Sequence, residues 1–262
     1  MKFTTEKNEI VDALQMGASI AERRQTIPIL ANLRIVATDG KVEITATDLE
    51  IQIKTVTEVK QVIEEGEITV SARKMSELCR SLPDKEDLEF DLKNGKLAVS
   101  SKNFHADFAT ISALDFPELE IKEETNSLSI SSSVLQRLLN KTAFCMASQD
   151  VRYYLNGLLV EYKEGEVNTV ATDGHRLALA TSSLDKTSSI DGERRILPRK
   201  AVLELSKILR QENEEIKITF GNSSLSIQDE NLDFSTKLID GKFPDYEKVL
   251  PSGEPSSLEV SK

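Results

Sequence analysis

The chain has 262 residues, enough for two domains at about 100–150 residues each, and its 39% hydrophobic and 29% charged residues are typical of a globular protein. Its net charge of -11, taken alone, argues against nucleic acid and anionic membranes as partners. The absence of tryptophan and the 5% aromatic content argue against a stacking platform for single-stranded nucleic acid.

No targeting or membrane signal is visible in the sequence. Charged residues begin at Lys2, and no apolar run approaches the roughly 18 residues that a membrane-spanning helix needs. The two cysteines, Cys79 and Cys145, have apolar neighbours in helical patterns, which predicts buried, reduced thiols. We therefore expect a cytoplasmic protein.

The first half of the chain alternates helical patterns with short β-hairpins. In chain order, the predicted elements are a helix over 8–20, strands over 30–37 and 42–46, an extended region over 51–62, a strand over 68–70, a helix over 72–82, and strands over 88–92, 97–101 and 104–112. Asp39-Gly40 and Asn94-Gly95 are typical hairpin turns. Ser71 is expected to cap the second helix, and Pro83 is expected to end it.

The second half repeats this order at a nearly constant offset. The predicted strand over 155–161 and the turn Glu164-Gly165 match the first half at an offset of 125. Arg199-Lys200, which opens a predicted helix over 199–210, matches Arg73-Lys74 at an offset of 126, and Phe243-Pro244 matches Phe116-Pro117 at 127. Several matches in sequence order predict a duplication.

The duplication predicts an α+β fold of repeated domains. Each repeat should hold two amphipathic helices packed on one face of antiparallel sheets. The predicted domains span residues 1–122 and 123–250. Residues 251–262 are interpreted as a linker and the first strand of a third unit, because 257–261 resemble 127–131.

One stretch, Ala171-Thr172-Asp173-Gly174-His175-Arg176-Leu177-Ala178, stands out because it packs a turn, a histidine and an arginine into eight residues. It has a counterpart, Ala46-Thr47-Asp48-Leu49, at an offset of 125. This turn is the strongest candidate for a functional site in the second repeat.

Positive charge concentrates in three of the four predicted helices, namely those over 72–82, 133–145 and 199–210, although the whole chain is acidic. The residues concerned include Arg73, Lys74, Arg137, Lys141, Arg199 and Lys200. If the helices share a surface, that surface is basic on an acidic body. The alternative is that these are ordinary solvated helix faces.

Catalytic and metal-binding motifs are absent from the sequence. His105 falls in a strand pattern and is expected to be structural, and no nucleophile elbow, metal-ligand cluster or phosphate-binding loop occurs. Asp173 beside His175 leaves an acid–base pair open as a minor alternative. We expect no enzyme activity, no metal and no cofactor.

Several segments together resemble the bacterial DNA polymerase III beta subunit family, the sliding clamps. They are residues 2–4, 27–30, 47–50, 72–74, 149–157, 170–178 and 238–246. The resemblance covers the whole chain in register, and the segments 149–157 and 170–178 are long and specific.

The resemblance implies a processivity factor in DNA replication that encircles duplex DNA without sequence specificity. The family has three such domains per chain and forms a head-to-tail dimeric ring. It tethers DNA polymerase III, clamp-loader subunits and other proteins with a clamp-binding motif. The alternatives left open are an interaction scaffold without DNA encirclement and an enzyme.

The resemblance also implies two sets of site residues. The partner-peptide pocket maps to Leu155, Thr172, Gly174, His175, Arg176, Leu177, Pro244, Lys248 and Val249, with Lys248 at a position where the family often has arginine. The DNA contacts map to Arg24, Gln149, Tyr153 and Tyr154, together with the basic helix residues Arg73, Lys74, Arg137, Lys141, Arg199 and Lys200.

The resemblance further implies how chains assemble. In the family, an edge strand of the first domain pairs with the third domain of another chain. We expect a homodimer for the full-length form and an exposed edge at residues 104–112 in the 262-residue form. That form is expected to be monomeric at micromolar concentration, since its third domain is reduced to a few residues.

Overall fold

The computed structural model describes residues 1–21, 27–119, 126–184, 192–209 and 214–251. Arg24, the boundary predicted between 122 and 123, and the third-unit strand predicted over 257–261 lie outside these residues. The four α-helices in these residues are α1 (Lys7–Ile20), α2 (Ala72–Ser81), α3 (Ser132–Thr142) and α4 (Arg199–Ile208). None of the described helices combines the length and apolar character needed to cross a membrane.

Seventeen strands accompany these helices in the described residues. In the first repeat they are β1 (Lys2–Glu6), β2 (Asn32–Thr38), β3 (Lys41–Thr47), β4 (Ile51–Glu58), β5 (Gln61–Glu64), β6 (Gly66–Ser71), β7 (Asp87–Lys93), β8 (Lys96–Ser100) and β9 (His105–Ile111). In the second repeat they are β10 (Asn126–Ser131), β11 (Gly157–Lys163), β12 (Glu166–Thr172), β13 (Leu177–Ser183), β14 (Glu193–Pro198), β15 (Glu215–Phe220), β16 (Ser224–Gln228) and β17 (Leu232–Lys237).

Each repeat contains two antiparallel strand groups of the same order. The first repeat has β4-β3-β2-β6 and β9-β8-β7-β1, with β5 added beside β1. The second has β13-β12-β11-β14 and β17-β16-β15-β10. The predicted α+β duplication is therefore confirmed strand by strand.

The helices form a continuous row across both repeats. Helix α1 packs against α2, α3 packs against α4, and α1 also contacts α4. Their apolar faces enter one core cluster that runs through both repeats, with Ile10, Leu14, Leu138 and Leu205 among its buried members. A shared helix layer is what the basic-surface interpretation requires.

The two repeats join through the antiparallel pair β17–β4. Phe234 lies opposite Ile53 in this pair, and both side chains are fully buried. Across the same junction, the ammonium group of Lys200 forms an ion pair with Asp48. Because large apolar side chains dominate core energetics, this junction is a packed interface between the repeats.

The structure confirms the predicted N-cap of α2 and the predicted end of this helix before Pro83. Ser71 is the N-cap, its side chain accepting the Lys74 amide at 3.5 Å, and the helix ends at Ser81, before Pro83. Cys79 lies buried in this helix, and burial raises its pKa to about 11. Cys145 is also buried, but in a 3-10 turn that follows α3.

The strand predicted over 30–37 begins later than expected. Residues Pro28–Ala31 form a 3-10 turn, and β2 begins at Asn32. The second repeat does the same, with the turn Tyr153–Leu155 ahead of β11. A short apolar run does not distinguish a tight helical turn from a strand, so these starts were wrong. The extended region over 51–62 likewise divides into β4 and β5.

Strand β9 is an open edge over only part of its length. It pairs with β8 from His105 to Ala109, while Thr110 and Ile111 join β6. The prediction of a free strand over 104–112 was therefore too long at its C-terminal end. His105 is exposed on β9, and its Nε2 lies 3.2 Å from Asp107 Oδ1 on the same strand.

Candidate functional site

The turn between β12 and β13 is held by two polar side chains. Thr172 Oγ1 donates to the Arg176 carbonyl at 2.7 Å and accepts the Gly174 amide at 3.1 Å. Asp173 Oδ1 accepts the amides of His175 and Arg176, each at 3.0 Å. These four bonds place the histidine and arginine side chains side by side on an exposed loop.

Hydrogen bonding keeps the Asp173 carboxylate charged. The backbone amides of His175 and Arg176, followed by the Arg176 guanidinium, lower its pKa to about 2. Arg176 Nε donates to Asp173 Oδ2 at 2.9 Å, so both carboxylate oxygens are engaged by groups other than the imidazole. This arrangement removes the basis for an acid–base pair between Asp173 and His175.

A guanidinium links this turn to the loop at 149–153. Arg152 binds the Asp150 carboxylate through Nε at 3.0 Å and through a terminal nitrogen at 2.8 Å, and it donates to the Asp173 carbonyl at 3.2 Å. Gly174 has a φ of +88°, and a Cβ there would lie 2.9 Å from the guanidinium of Arg152. The backbone conformation therefore favours glycine, and a larger residue would also displace the flexible end of the Arg152 side chain.

The first residue of β13 forms an apolar wall beside the turn. Leu177 is half-buried and packs against a small cluster separate from the main core. The buried members of this cluster are Leu159, Val170, Ile196, Phe243 and Tyr246. A cavity of about 590 Å³ borders the same cluster at Leu159, Ile196 and Phe243 and includes none of the nine predicted pocket residues.

The segment 243–249 reaches this cluster through Tyr246. The Tyr246 hydroxyl donates to the buried carboxylate of Glu161, which also forms an ion pair with Arg194 Nε at 3.3 Å. Burial and the Glu161 carboxylate raise the pKa of Tyr246, so the phenol stays protonated. These contacts hold the 3-10 turn Tyr246–Val249 in place.

The structure therefore brings the β12–β13 turn and the segment 243–249 together. Val249 is 67% exposed and Pro244 is exposed, as a binding wall requires. Lys248 instead forms an ion pair with Asp245 at 2.9 Å, which raises the pKa of the lysine. Leu155 is only 2% exposed, so in this conformation its side chain offers almost no surface to a ligand.

The predicted basic residues divide into two groups. Three are engaged within the fold: Arg73 with Glu77 at 2.7 Å, Arg199 with the Met146 carbonyl at 3.0 Å, and Lys200 with Asp48. The other three are Lys74, Arg137 and Lys141. These are exposed on α2 and α3, and the structure gives them no ion pair to a described residue.

The loop at 149–153 presents polar and aromatic side chains to solvent. Gln149 is exposed with a φ of +59°, and Tyr153 is exposed with its ring edge-on to Tyr154 at 5.8 Å. Val151 is almost fully exposed at the tip of the same loop. Arg152, which the sequence segment contained but which received no predicted role, connects this loop to the pocket turn.

Phe144 is a second residue that sequence reasoning missed. The Arg176 guanidinium lies 5.6 Å from the centre of its exposed ring, and Arg176 also donates to the Phe144 carbonyl at 2.9 Å. Nothing in the local pattern around residue 144 points to this contact, since the two residues are distant in sequence.

Two family models match the chain. The model described as DNA polymerase III beta subunit, N-terminal domain, covers residues 1–120, and the central-domain model covers residues 129–245.

Beta sliding clamps are also among the relatives of this chain. The clamp of Pseudomonas aeruginosa is 41% identical over 254 residues, covering 97% of this chain and 69% of that protein. The clamp of Salmonella typhimurium is 37% identical over 260 residues, covering 99% of this chain and 70% of that protein.

Solved structures of sliding clamps are also similar to this chain. A sliding clamp from Pseudomonas aeruginosa bound to griselimycin has a TM-score of 0.92 at 40% identity, with 97% of this chain and 68% of that chain covered. The clamp of Bacillus subtilis has a TM-score of 0.88 at 29% identity, with the same coverage. The matched family is one of replication clamps rather than enzymes, in agreement with the prediction. The chain therefore belongs to the bacterial beta sliding clamp family, the DNA polymerase III beta subunits.

Proposed function

We propose that the chain is a DNA polymerase processivity factor. It encircles duplex DNA without reading its sequence and tethers replication and repair proteins through a peptide-binding pocket. The observation that carries this proposal is the continuous row of helices with Lys74, Arg137 and Lys141 exposed and unpaired among the described residues of an acidic protein. A basic stripe on an acidic body attracts phosphates only along that stripe.

The same helices suit sliding rather than sequence recognition. Long, solvated side chains on helix surfaces reach phosphates singly or through water and do not lock onto base edges. Gln149, Tyr153 and Tyr154 are proposed to add contacts from the neighbouring loop. Arg24 is proposed as a further contact on the resemblance alone, because it lies outside the described residues.

The proposed peptide pocket has an apolar wall and a polar rim. Leu177 and Val249 supply apolar surface, and His175 and Arg176 supply polar groups held in position by Asp173. Such a site suits a short peptide that inserts a leucine-sized anchor. The proposed partners are DNA polymerase III, clamp-loader subunits and other proteins with a clamp-binding motif.

Several further properties follow from this proposal. A bacterial protein that tethers a polymerase to chromosomal DNA works in the cytoplasm. The domain limits 1–122 and 123–250, followed by a linker from 251, remain predictions. So do a homodimeric ring for the full-length form and a monomer at micromolar concentration for the 262-residue form.

The test is DNA binding as a function of salt. Replacing Lys74, Arg137 and Lys141 together with alanine should weaken duplex binding for all sequences alike. It should also reduce the slope of log affinity against log salt by about 0.9 for each lost phosphate contact. The control variant carries three alanines at exposed lysines outside the helices. These are Lys96, Lys102 and Lys237.

Both variants change the net charge by the same amount, so a difference between them reports position rather than charge. If the two variants bind DNA equally at low and moderate salt, the helix surface does not contact DNA. Peptide binding that persists without any DNA binding by the unmodified protein would instead support the scaffold function.

A further inference from the structure

The 3-10 turn Tyr246–Val249 lies over a buried carboxylate of the neighbouring sheet. Val249, at the end of this turn, forms one side of the proposed pocket. Tyr246, at its beginning, is only 5% exposed, and its side chain reaches the sheet. We propose that Glu161 and Arg194 position this side of the pocket by holding Tyr246, a role that depends on the peptide binding proposed for the site.

The two proposed positioning residues lie side by side on one face of the sheet. Glu161 of β11 is opposite Arg194 of β14, and Leu159 is opposite Ile196 in the same antiparallel pair. Side chains two residues apart share a face, so all four are on the same side of the sheet. Leu159 and Ile196 belong to the small apolar cluster that includes Tyr246, whereas alternate residues of β11 enter the main core. This face is therefore the one that the turn covers.

The Glu161 carboxylate is withdrawn from solvent and binds a different partner with each oxygen. The side chain of Glu161 is 4% exposed. Its Oε2 accepts the Tyr246 hydroxyl, and its Oε1 forms an ion pair with Arg194 Nε at 3.3 Å. A buried carboxylate that loses a partner is costly, so both contacts are retained in the folded chain. The carboxylate thus fixes where the tyrosine hydroxyl lies.

Arg194 acts on the beginning of the turn from a second direction. Its guanidinium lies 6.0 Å from the centre of the Tyr246 ring, which is the outer limit of a cation–π contact. Asp245 is the N-cap residue of the turn. Its bond to Lys248 lowers the pKa of its carboxyl, and the charge of Arg194 lowers that pKa further. Arg194 therefore attracts both the ring and the N-cap carboxylate.

Apolar packing alone does not fix the segment that leads into the turn. The cavity of about 590 Å³ lies between Leu159 and Ile196 of the sheet and residues 238–243 of this segment. A void forfeits the contacts that a filled core would make. Val249 is 67% exposed, so its own side chain anchors the turn weakly. The position of the turn therefore depends on the buried polar contacts of Tyr246.

The other ion pairs of the turn are exposed. Lys163 binds Glu247 at 3.1 Å, and Lys248 binds Asp245 at 2.9 Å, with all four side chains at least 46% exposed. Exposed pairs of this kind contribute little to stability. Glu247 therefore provides a matched control on the same turn, because its substitution removes a polar contact that is not buried.

Calorimetry with a short peptide containing glutamine and leucine measures the proposed effect. Tyr246→Phe deletes only the hydroxyl and should weaken peptide binding about fivefold, whereas Glu247→Gln should leave the affinity unchanged. Glu161→Gln keeps an acceptor for the hydroxyl but loses the ion pair. It should therefore resemble Arg194→Gln, with a loss of about threefold. Circular dichroism and urea unfolding of each variant report the fold and its stability.

A double-mutant cycle separates positioning from a general loss of stability. In a Val249→Ala background, Tyr246→Phe should weaken binding less than about twofold, because the side chain that the hydroxyl positions is gone. In a His175→Ala background the loss should remain about fivefold, because Asp173 holds His175 independently. A merely structural role of Tyr246 would give the same loss in both backgrounds.

The outcomes distinguish this role from the function on which it depends. No peptide binding by the unmodified chain would overturn both. Binding by the unmodified chain with equal affinities for the Tyr246→Phe and Glu247→Gln variants would overturn the positioning role alone. An equal loss in the Val249→Ala and His175→Ala backgrounds would do the same, while the proposed peptide binding would stand.

Discussion

The apolar wall of the proposed pocket allows a quantitative prediction for Leu177→Ala. The substitution removes three carbon atoms, worth about 2.4 kcal/mol at about 0.8 kcal/mol per buried methylene. Leu177 is already half-buried against the cluster of Phe243 and Tyr246, so about half of this amount is available to a ligand. The expected loss of peptide binding free energy is about 1.2 kcal/mol, or about eightfold in affinity.

Calorimetry with a short peptide containing glutamine and leucine measures this loss. The unmodified chain should bind at micromolar affinity or weaker, near -8 kcal/mol. Leu179→Ala is the matched control, because Leu179 lies two residues farther on the same strand face, outside the cluster. The same affinity for the Leu177→Ala variant and the unmodified chain, or an equal loss in both variants, would refute the assignment of the wall. Urea unfolding of both variants separates lost binding from lost stability.

Three further predictions concern the turn and the junction. Gly174→Ala should weaken peptide binding while the chain still folds, because a Cβ would strain a φ of +88° and press on Arg152. Calorimetry measures the peptide binding, and circular dichroism checks the folding. Asp173 has its pKa lowered from 3.8 to about 2, so its stabilisation of the turn is fully present above pH about 4 and is lost as the pH falls toward 2. The protection of the His175 amide against exchange, measured by NMR relative to the intrinsic rate at each pH, should fall over that interval and stay constant between pH 7 and 5. Phe234→Ala should lower the free energy of unfolding by about 3–5 kcal/mol in urea, and a loss below about 1 kcal/mol would show that the junction is loosely packed.

The repeat was predictable because its signals are local and occur twice. The counterpart turns begin at Thr47 and Thr172, and each threonine hydroxyl bonds to the carbonyl four residues on, at 2.9 and 2.7 Å. A threonine–aspartate pair that bonds its own backbone needs no distant residue to form. The same reasoning explains why the Ser71 cap and the hairpin turns were predicted at the right residues.

Contacts between the repeats could not be predicted from local sequence signals. Lys200 was predicted as a DNA contact from its place on a basic helix, but it binds Asp48 of the other repeat. Sequence pattern gives the face of a helix and not the neighbour that the face meets. The link from Arg152 to the Asp173 carbonyl was missed for the same reason, because it joins loops that are adjacent only after folding.

The turn at Thr172 and its counterpart at Thr47 have the same internal hydrogen bonds but different surroundings. In the first repeat, the turn of Thr47 and Asp48 is committed to the junction, since Asp48 holds Lys200 while β4 beside it binds β17. In the second repeat, the same hydrogen bonds leave His175 and Arg176 exposed beside β13, which is the last of the described strands in its sheet. A peptide at the proposed pocket would meet these side chains on a turn that its own hydrogen bonds already hold. Disrupting Asp173 should therefore weaken the proposed peptide binding, because its hydrogen bonds hold the backbone of His175 and Arg176.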